Sequence, residues 1–118
     1  MKLRLHTDTL RLRLSQPDVA QLAETGRVEE SIAFASGRTL TFAIELQDTP
    51  EVAASFEGDR IAVVVPRATG QNWIDSDQTG IDNPDASPKI LIEKDFQCLH
   101  RDGPEQGEAF PNPLMDKF

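Results

Sequence analysis

The sequence has a single cysteine, Cys98, no tyrosine and no long apolar run. One cysteine cannot form an intrachain disulfide, and the first residues interleave charges with leucines rather than forming a secretory signal, so we expect a cytoplasmic protein. The longest apolar run, residues 61–65, is far shorter than the roughly 20 residues that a membrane helix needs. The absence of tyrosine also argues against single-stranded nucleic-acid platforms, which use exposed aromatic side chains.

The net charge of the chain argues against nucleic acids and anionic membranes as partners. The formal net charge is −8, so the phosphates of nucleic acids or anionic membranes would repel the chain. The excess acid lies late in the chain, because residues 71–118 carry four basic and ten acidic side chains. We predict one domain over residues 1–118, with a core over about 1–96 and an irregular acidic tail over about 97–118.

Alternating residues near the N-terminus predict a β-hairpin. Leucines alternate with basic residues over 2–6 and over 9–14, which is the period of a half-buried strand. Thr7-Asp8 lies between the two segments and predicts the turn.

A short helix is predicted directly after the hairpin, over residues 16–25. Ser15 suits an N-cap, Pro17 suits the first turn, and Asp18 lies where the acid of a capping box belongs. Gly26 predicts the end of the helix.

The rest of the chain predicts further strands and one more short helix. Turn residues and periodicity predict paired strands over 27–35 and 38–47, then over 52–56 and 60–65, a helix over 66–74, a loop over 75–88 and a strand at 90–92. Residues 51–57 also fit a helix that stops at Gly58. The predicted fold is therefore α+β, with a mainly antiparallel sheet of about six to seven strands.

The hairpin carries a cationic face, which is the first candidate site. A two-residue turn at Thr7-Asp8 sets Lys2 opposite Arg13 and Arg4 opposite Arg11. Like charges directly opposite each other are unfavourable. We expect acidic residues of a neighbouring strand or of the tail to compensate them, and the alternative is that the face binds an anionic ligand or partner.

Metal binding is the second hypothesis, and it depends on residues distant in sequence. Thiolate, imidazole and carboxylate groups are ligands of zinc and other divalent metals. The candidates are His6, Asp95, Cys98, His100 and Asp102. Their spacing does not match a paired structural zinc motif, and Cys98 with His100 would also suit a nucleophilic pair. The ordinary interpretation is a small apolar cysteine beside a surface histidine.

Residues 75–82 have a partial likeness to a calcium-binding loop. Oxygen-bearing side chains at loop positions 1, 3 and 5 and glycine at position 6 resemble an EF-hand, but the twelfth position is Ala86 rather than glutamate. We therefore expect a solvated turn-rich loop there.

Residues 10–22, 92–99 and 110–113 together resemble a family of short bacterial proteins of unknown function. The resemblance implies no activity and no site residues. No catalytic signature is present either, so the leading hypothesis is a non-enzymatic binding module that holds an unknown protein or a small anionic ligand. The alternatives are a metal-binding protein and a subunit of a homo-oligomer.

Overall fold

The computed structural model describes residues 1–95, which form eight strands and two helices. In chain order these are β1 (Lys2–His6), β2 (Thr9–Leu14), α1 (Gln16–Thr25), β3 (Arg27–Ala33), β4 (Thr39–Gln47), β5 (Ala53–Glu57), β6 (Arg60–Pro66), α2 (Arg67–Asp75), β7 (Gly80–Asn83) and β8 (Lys89–Lys94). The α+β class is therefore confirmed. The predicted tail lies outside the described residues.

The strands form two mixed four-stranded sheets, so the prediction of one sheet with six to seven strands is wrong, although most strand pairs are antiparallel. The strand orders are β1-β2-β8-β7 and β3-β4-β6-β5. In each sheet the central pair is parallel, β2 with β8 and β4 with β6, and the outer pairs are antiparallel. Local turn chemistry predicts hairpins correctly, but it carries no information on the distant segment that pairs with the inner strand of each hairpin.

The short helix α1 shows how closely local chemistry sets an element. Ser15 and Asp18 form both halves of a capping box, Pro17 lies in the first turn, and Gly26 ends the helix in a left-handed conformation with φ of 79°. A glycine accepts this φ because it has no Cβ atom. The helix occupies the predicted residues.

The chain runs twice through the order ββαββ, once over β1–β4 and once over β5–β8. Each sheet takes one antiparallel pair of strands from each half, β1–β2 with β7–β8 in the first sheet and β3–β4 with β5–β6 in the second. The backbone bonds match too: Lys89 N–H donates to the carbonyl of Asp8 at 2.8 Å, and Thr41 N–H donates to that of Asp59 at 3.0 Å. The two halves therefore repeat the same order of elements with matching backbone bonds, although their side chains differ.

Both sheets and both helices contribute to one apolar cluster. The buried positions of the first hairpin and helix recur 51 residues later, as pairs Leu10 and Ile61, Leu12 and Val63, Leu14 and Val65, Leu22 and Trp73. The odd-numbered residues of β2 point away from this cluster, which leaves its arginines on the opposite face of the sheet. Within residues 1–95, no helix has the length and apolar character to cross a membrane.

Candidate functional site

The outer face of hairpin β1–β2 gathers four basic side chains, Lys2, Arg4, Arg11 and Arg13, which we call the cationic face. Lys2 pairs with Arg13 and Arg4 pairs with Arg11, as predicted. Because the leucines of β2 point into the core, its two arginines must lie on the outer side, where about a third of each side chain is exposed. Lys2 is 73% exposed. Sequence alternation and turn length together predicted this geometry.

Acidic residues near β8 partly neutralise the cationic face. The Nε atom of Arg11 lies 2.9 Å from a carboxylate oxygen of Glu93, and Arg13 approaches the same oxygen at 3.8 Å. Lys2 lies 3.5 Å from Asp95, and Arg4 also has an interaction partner. The expected compensation from a neighbouring strand is therefore present, but Arg11 and Arg13 share a single carboxylate.

A second charged cluster, which the sequence did not reveal, lies on the outer face of the other sheet. Arg60 contacts Glu29 at 2.5 Å and Glu45 at 2.7 Å, and Arg27 contacts Glu29 at 2.6 Å. Ala43 lies beneath them and is almost fully buried. Hydrogen bonds from Arg60 and Arg27 lower the pKa of Glu29 despite some desolvation. The acids and bases are matched here, so this cluster stabilises the sheet rather than attracting an ion.

The described residues do not bring together a set of metal ligands. Within residues 1–95, no three His, Cys, Asp or Glu side chains could hold a metal ion. His6 pairs with Thr9 at the turn of the hairpin, whereas Asp95 lies at the other end, where its N–H donates to Leu14. Five residue steps along β2, from Thr9 to Leu14, separate the two ends, or about 17 Å. Cys98, His100 and Asp102 lie outside the described residues, so a metal site that includes them stays a hypothesis.

The segment that resembles an EF-hand loop forms an ordinary turn followed by a strand. Ser76 accepts a hydrogen bond from the N–H of Gln78, and the Gln78 amide donates to the carbonyl of Gly80. Gly80 begins β7, which pairs with β8, so the prediction of a loop over the whole of 75–88 is wrong. These polar side chains satisfy local backbone groups, as short acids and hydroxyls do in turns.

Four large apolar side chains are exposed on described strands or just after them. Leu5 lies on β1, Phe56 on β5, and Ile32 and Phe34 at the end of β3. Phe34 and Leu40 help to line a shallow depression of about 320 Å³ that Arg38 and Asp59 border. Leu5 and Phe56 occupy equivalent places in the two halves of the fold, each at the inner side of an outer strand.

The sequence pattern of one protein family matches residues 1–114. The chain belongs to DUF7009, a family of unknown function. The predicted resemblance to a family of unknown function is thus confirmed, while a bacterial source remains a prediction. Searches of curated proteins and of solved structures found no match. Membership of DUF7009 assigns no reaction, so the function has to be argued from the cationic face and its surroundings.

Proposed function

We propose that this DUF7009 protein is a non-enzymatic binding module that holds an anionic ligand or partner on the cationic face. The observation that carries the proposal is the pairing of like charges, Lys2 with Arg13 and Arg4 with Arg11, on one side of a single hairpin. Each such pair costs a few tenths of a kcal/mol in an antiparallel sheet. Four basic side chains nevertheless lie together on this hairpin, in a chain with a net charge of −8.

The partial neutralisation by β8 supports a binding role. Glu93 is shared between Arg11 and Arg13, so an incoming carboxylate or phosphate would relieve the repulsion between the two guanidinium groups. Arginine presents a planar set of donors that suits such oxygens in a bidentate arrangement. Because the long side chains are only part-buried, they can turn toward a ligand without disturbing the leucines beneath them.

The contrast with the second sheet supports the same conclusion. The cluster of Arg27, Glu29, Glu45 and Arg60 has one acid for each base. Both clusters lie on outer faces of the two related sheets, the cationic face on β1 and β2 and the matched cluster on β3, β4 and β6. Within residues 1–95, Arg11 and Arg13 of the cationic face share one carboxylate, whereas each arginine of the second cluster has a carboxylate to match it.

Charge reversal tests the proposal. The variant Arg4→Glu/Arg13→Glu and the control Arg67→Glu change surface cations, and Arg67 lies at the start of α2 beside Asp48. Calorimetry at two salt concentrations measures the binding of polyglutamate and of inorganic tripolyphosphate. Binding should be lost in the double variant and kept in the control. Binding that the double variant retains, or an absence of binding by the wild type to either probe and to any partner in pull-downs, refutes the proposal.

A further inference from the structure

Strand β1 is an outer strand of the first sheet as the described residues form it. An outer strand offers one row of backbone N–H and C=O groups to a further strand. An extended segment of another protein can add to such an edge, and its side chains then determine specificity. Two residues of the cationic face, Lys2 and Arg4, lie on β1 itself, so a ligand bound to that face would lie beside this edge.

The direction of the backbone groups follows from the bonds of β2. The carbonyls of Asp8 and Leu14 point toward β8. They accept hydrogen bonds from the N–H of Lys89, which begins β8, and from the N–H of Asp95, which directly follows it. Alternation therefore directs the backbone groups of Leu10 and Leu12 toward β8 as well.

The residues opposite them, Leu5 and Leu3, are consequently in non-hydrogen-bonded pairs with β2. Their own N–H and C=O groups point outward from the edge. Two residues of β1 thus present backbone donors and acceptors in the spacing that an added strand requires.

The side chains of β1 define the residues that such a strand should carry. Lys2 and Arg4 lie on the outer face, and Leu5 lies on the inner face with 59% of its surface exposed. Side chains of an added strand would alternate between these two faces. Acidic residues would meet the two cations, and apolar residues at the alternate positions would lie opposite Leu3 and Leu5.

We propose that β1 binds an extended segment of a partner protein in which acidic and apolar residues alternate, and that this segment joins the sheet as an additional strand. The inference rests on the proposed function, because the charge complementarity comes from the cationic face. It adds a backbone component and a sequence pattern that a simple anion site does not require.

Two other occupants fit the edge less well. A second copy pairing through its own β1 would set Lys2 and Arg4 against the same cations, which is unfavourable. The equivalent edge strand β5 also exposes an apolar residue, Phe56, but its outer-face residues are Ala53, Ser55 and Glu57. Charge therefore selects β1 for an acidic segment and leaves β5 as a matched control in the same chain.

Two peptides of equal composition test the inference on the full chain. The alternating probe is acetyl-Glu-Val-Glu-Val-Glu-amide, and the block probe is acetyl-Glu-Glu-Glu-Val-Val-amide. Isothermal titration calorimetry should give a Kd for the alternating probe that is about tenfold lower. Leu5→Pro removes an outward N–H without taking one from the β1–β2 ladder, so it should raise this Kd about tenfold. Phe56→Pro should leave the Kd unchanged.

The outcomes separate the inference from the proposed function. N-methylation of the valine nitrogens in the alternating probe should also weaken binding to the wild type, which keeps the test valid if Leu5→Pro does not fold. Equal binding of both probes, lost on Arg4→Glu/Arg13→Glu, overturns strand addition and retains the anion-binding function. Binding of neither peptide, polyglutamate nor tripolyphosphate, together with no partner in pull-downs, overturns both. A wild-type dimer in sedimentation that Leu5→Pro dissociates overturns the inference in favour of a second copy.

Discussion

Leu22 of α1 and Trp73 of α2 hold the same position in the two halves of the fold, and both are fully buried. The larger tryptophan has a smaller neighbour three residues earlier on its helix, since Gly70 occupies the position that Val19 holds in α1. Two helices with different side chains thus fill similar space in one core. A packed interior usually tolerates a larger side chain at one position when a neighbouring position carries a smaller one.

Replacing Gly70 with alanine should destabilise the protein, although alanine is the better helix former by about 1 kcal/mol. A Cβ atom at this position would lie 2.3 Å from the Cδ2 atom of Leu46. Leu46 is packed in the core and would have to leave its rotamer, and overpacking of this kind costs about 1–3 kcal/mol. We expect a net loss of about 1 kcal/mol in the free energy of unfolding, measured with urea.

The double variant Gly70→Ala/Leu46→Val checks the cause of that loss. Removing a methylene at Leu46 gives the new methyl group room, so the double variant should lose less than the sum of the single losses. Additive losses would show that the contact with Leu46 is not responsible.

Trp73 should report the packing of the whole core, because it is the only tryptophan in the chain. Its ring is buried, and Lys94 lies over it at 5.3 Å from the centroid. Trp73→Ala should lower the free energy of unfolding by about 3–5 kcal/mol.

Trp73→Phe should cost less than Trp73→Ala, because the indole Nε1 atom is buried and has no hydrogen-bond partner among residues 1–95. Chemical denaturation followed by circular dichroism measures both variants. A phenylalanine variant as unstable as the alanine variant would contradict this account of the indole nitrogen.

The sequence predicts the elements of this fold better than their assembly. The hairpin β1–β2 and the capped helix α1 follow from residues that are neighbours in the chain, and both appear where they are predicted. Strand β7 was missed because its residues, Gly80 to Asn83, are those of a turn, and they become a strand only through pairing with β8. The parallel pairs join segments about 80 and 20 residues apart, so no local signal indicates them.

The same distinction applies to the candidate site. The pairing of Arg4 with Arg11 follows from a two-residue turn and was predictable. The contact of Glu93 with Arg11 depends on the parallel pairing of β8, and so does the place of β1 as an outer strand among residues 1–95. The proposal that β1 binds a partner segment therefore draws on the assembled sheet as well as on the sequence.

The stability contributed by Asp18 should depend on pH. Partial burial opposes its ionisation, but hydrogen bonds from the Met1 ammonium and from Ser15 outweigh this effect and lower the pKa of Asp18. A lowered pKa in the folded protein stabilises the fold above the unfolded value of about 4 and ceases to do so as pH falls through the folded pKa.

The stability difference between the wild type and Asp18→Asn should therefore be large at pH 7 and shrink below about pH 4. Thermal unfolding over pH 2–7 measures it, and Asp48→Asn, which changes a highly exposed carboxylate, is the control. A difference that stays constant over this range would assign the effect of Asp18 to the neutral capping geometry alone.

Two arginines on the second sheet should control two different carboxylates. A hydrogen bond from Arg60 is the main cause of the lowered pKa of Glu29, and a hydrogen bond from Arg38 is the main cause of the lowered pKa of Asp59. Arg60→Gln should therefore raise the pKa of Glu29 toward its ordinary value of about 4.3 and leave that of Asp59 unchanged. Arg38→Gln should do the reverse. Titration of the carboxyl carbons by NMR measures both, and a parallel rise of both pKa values in either variant would show that general surface charge, rather than these contacts, determines them.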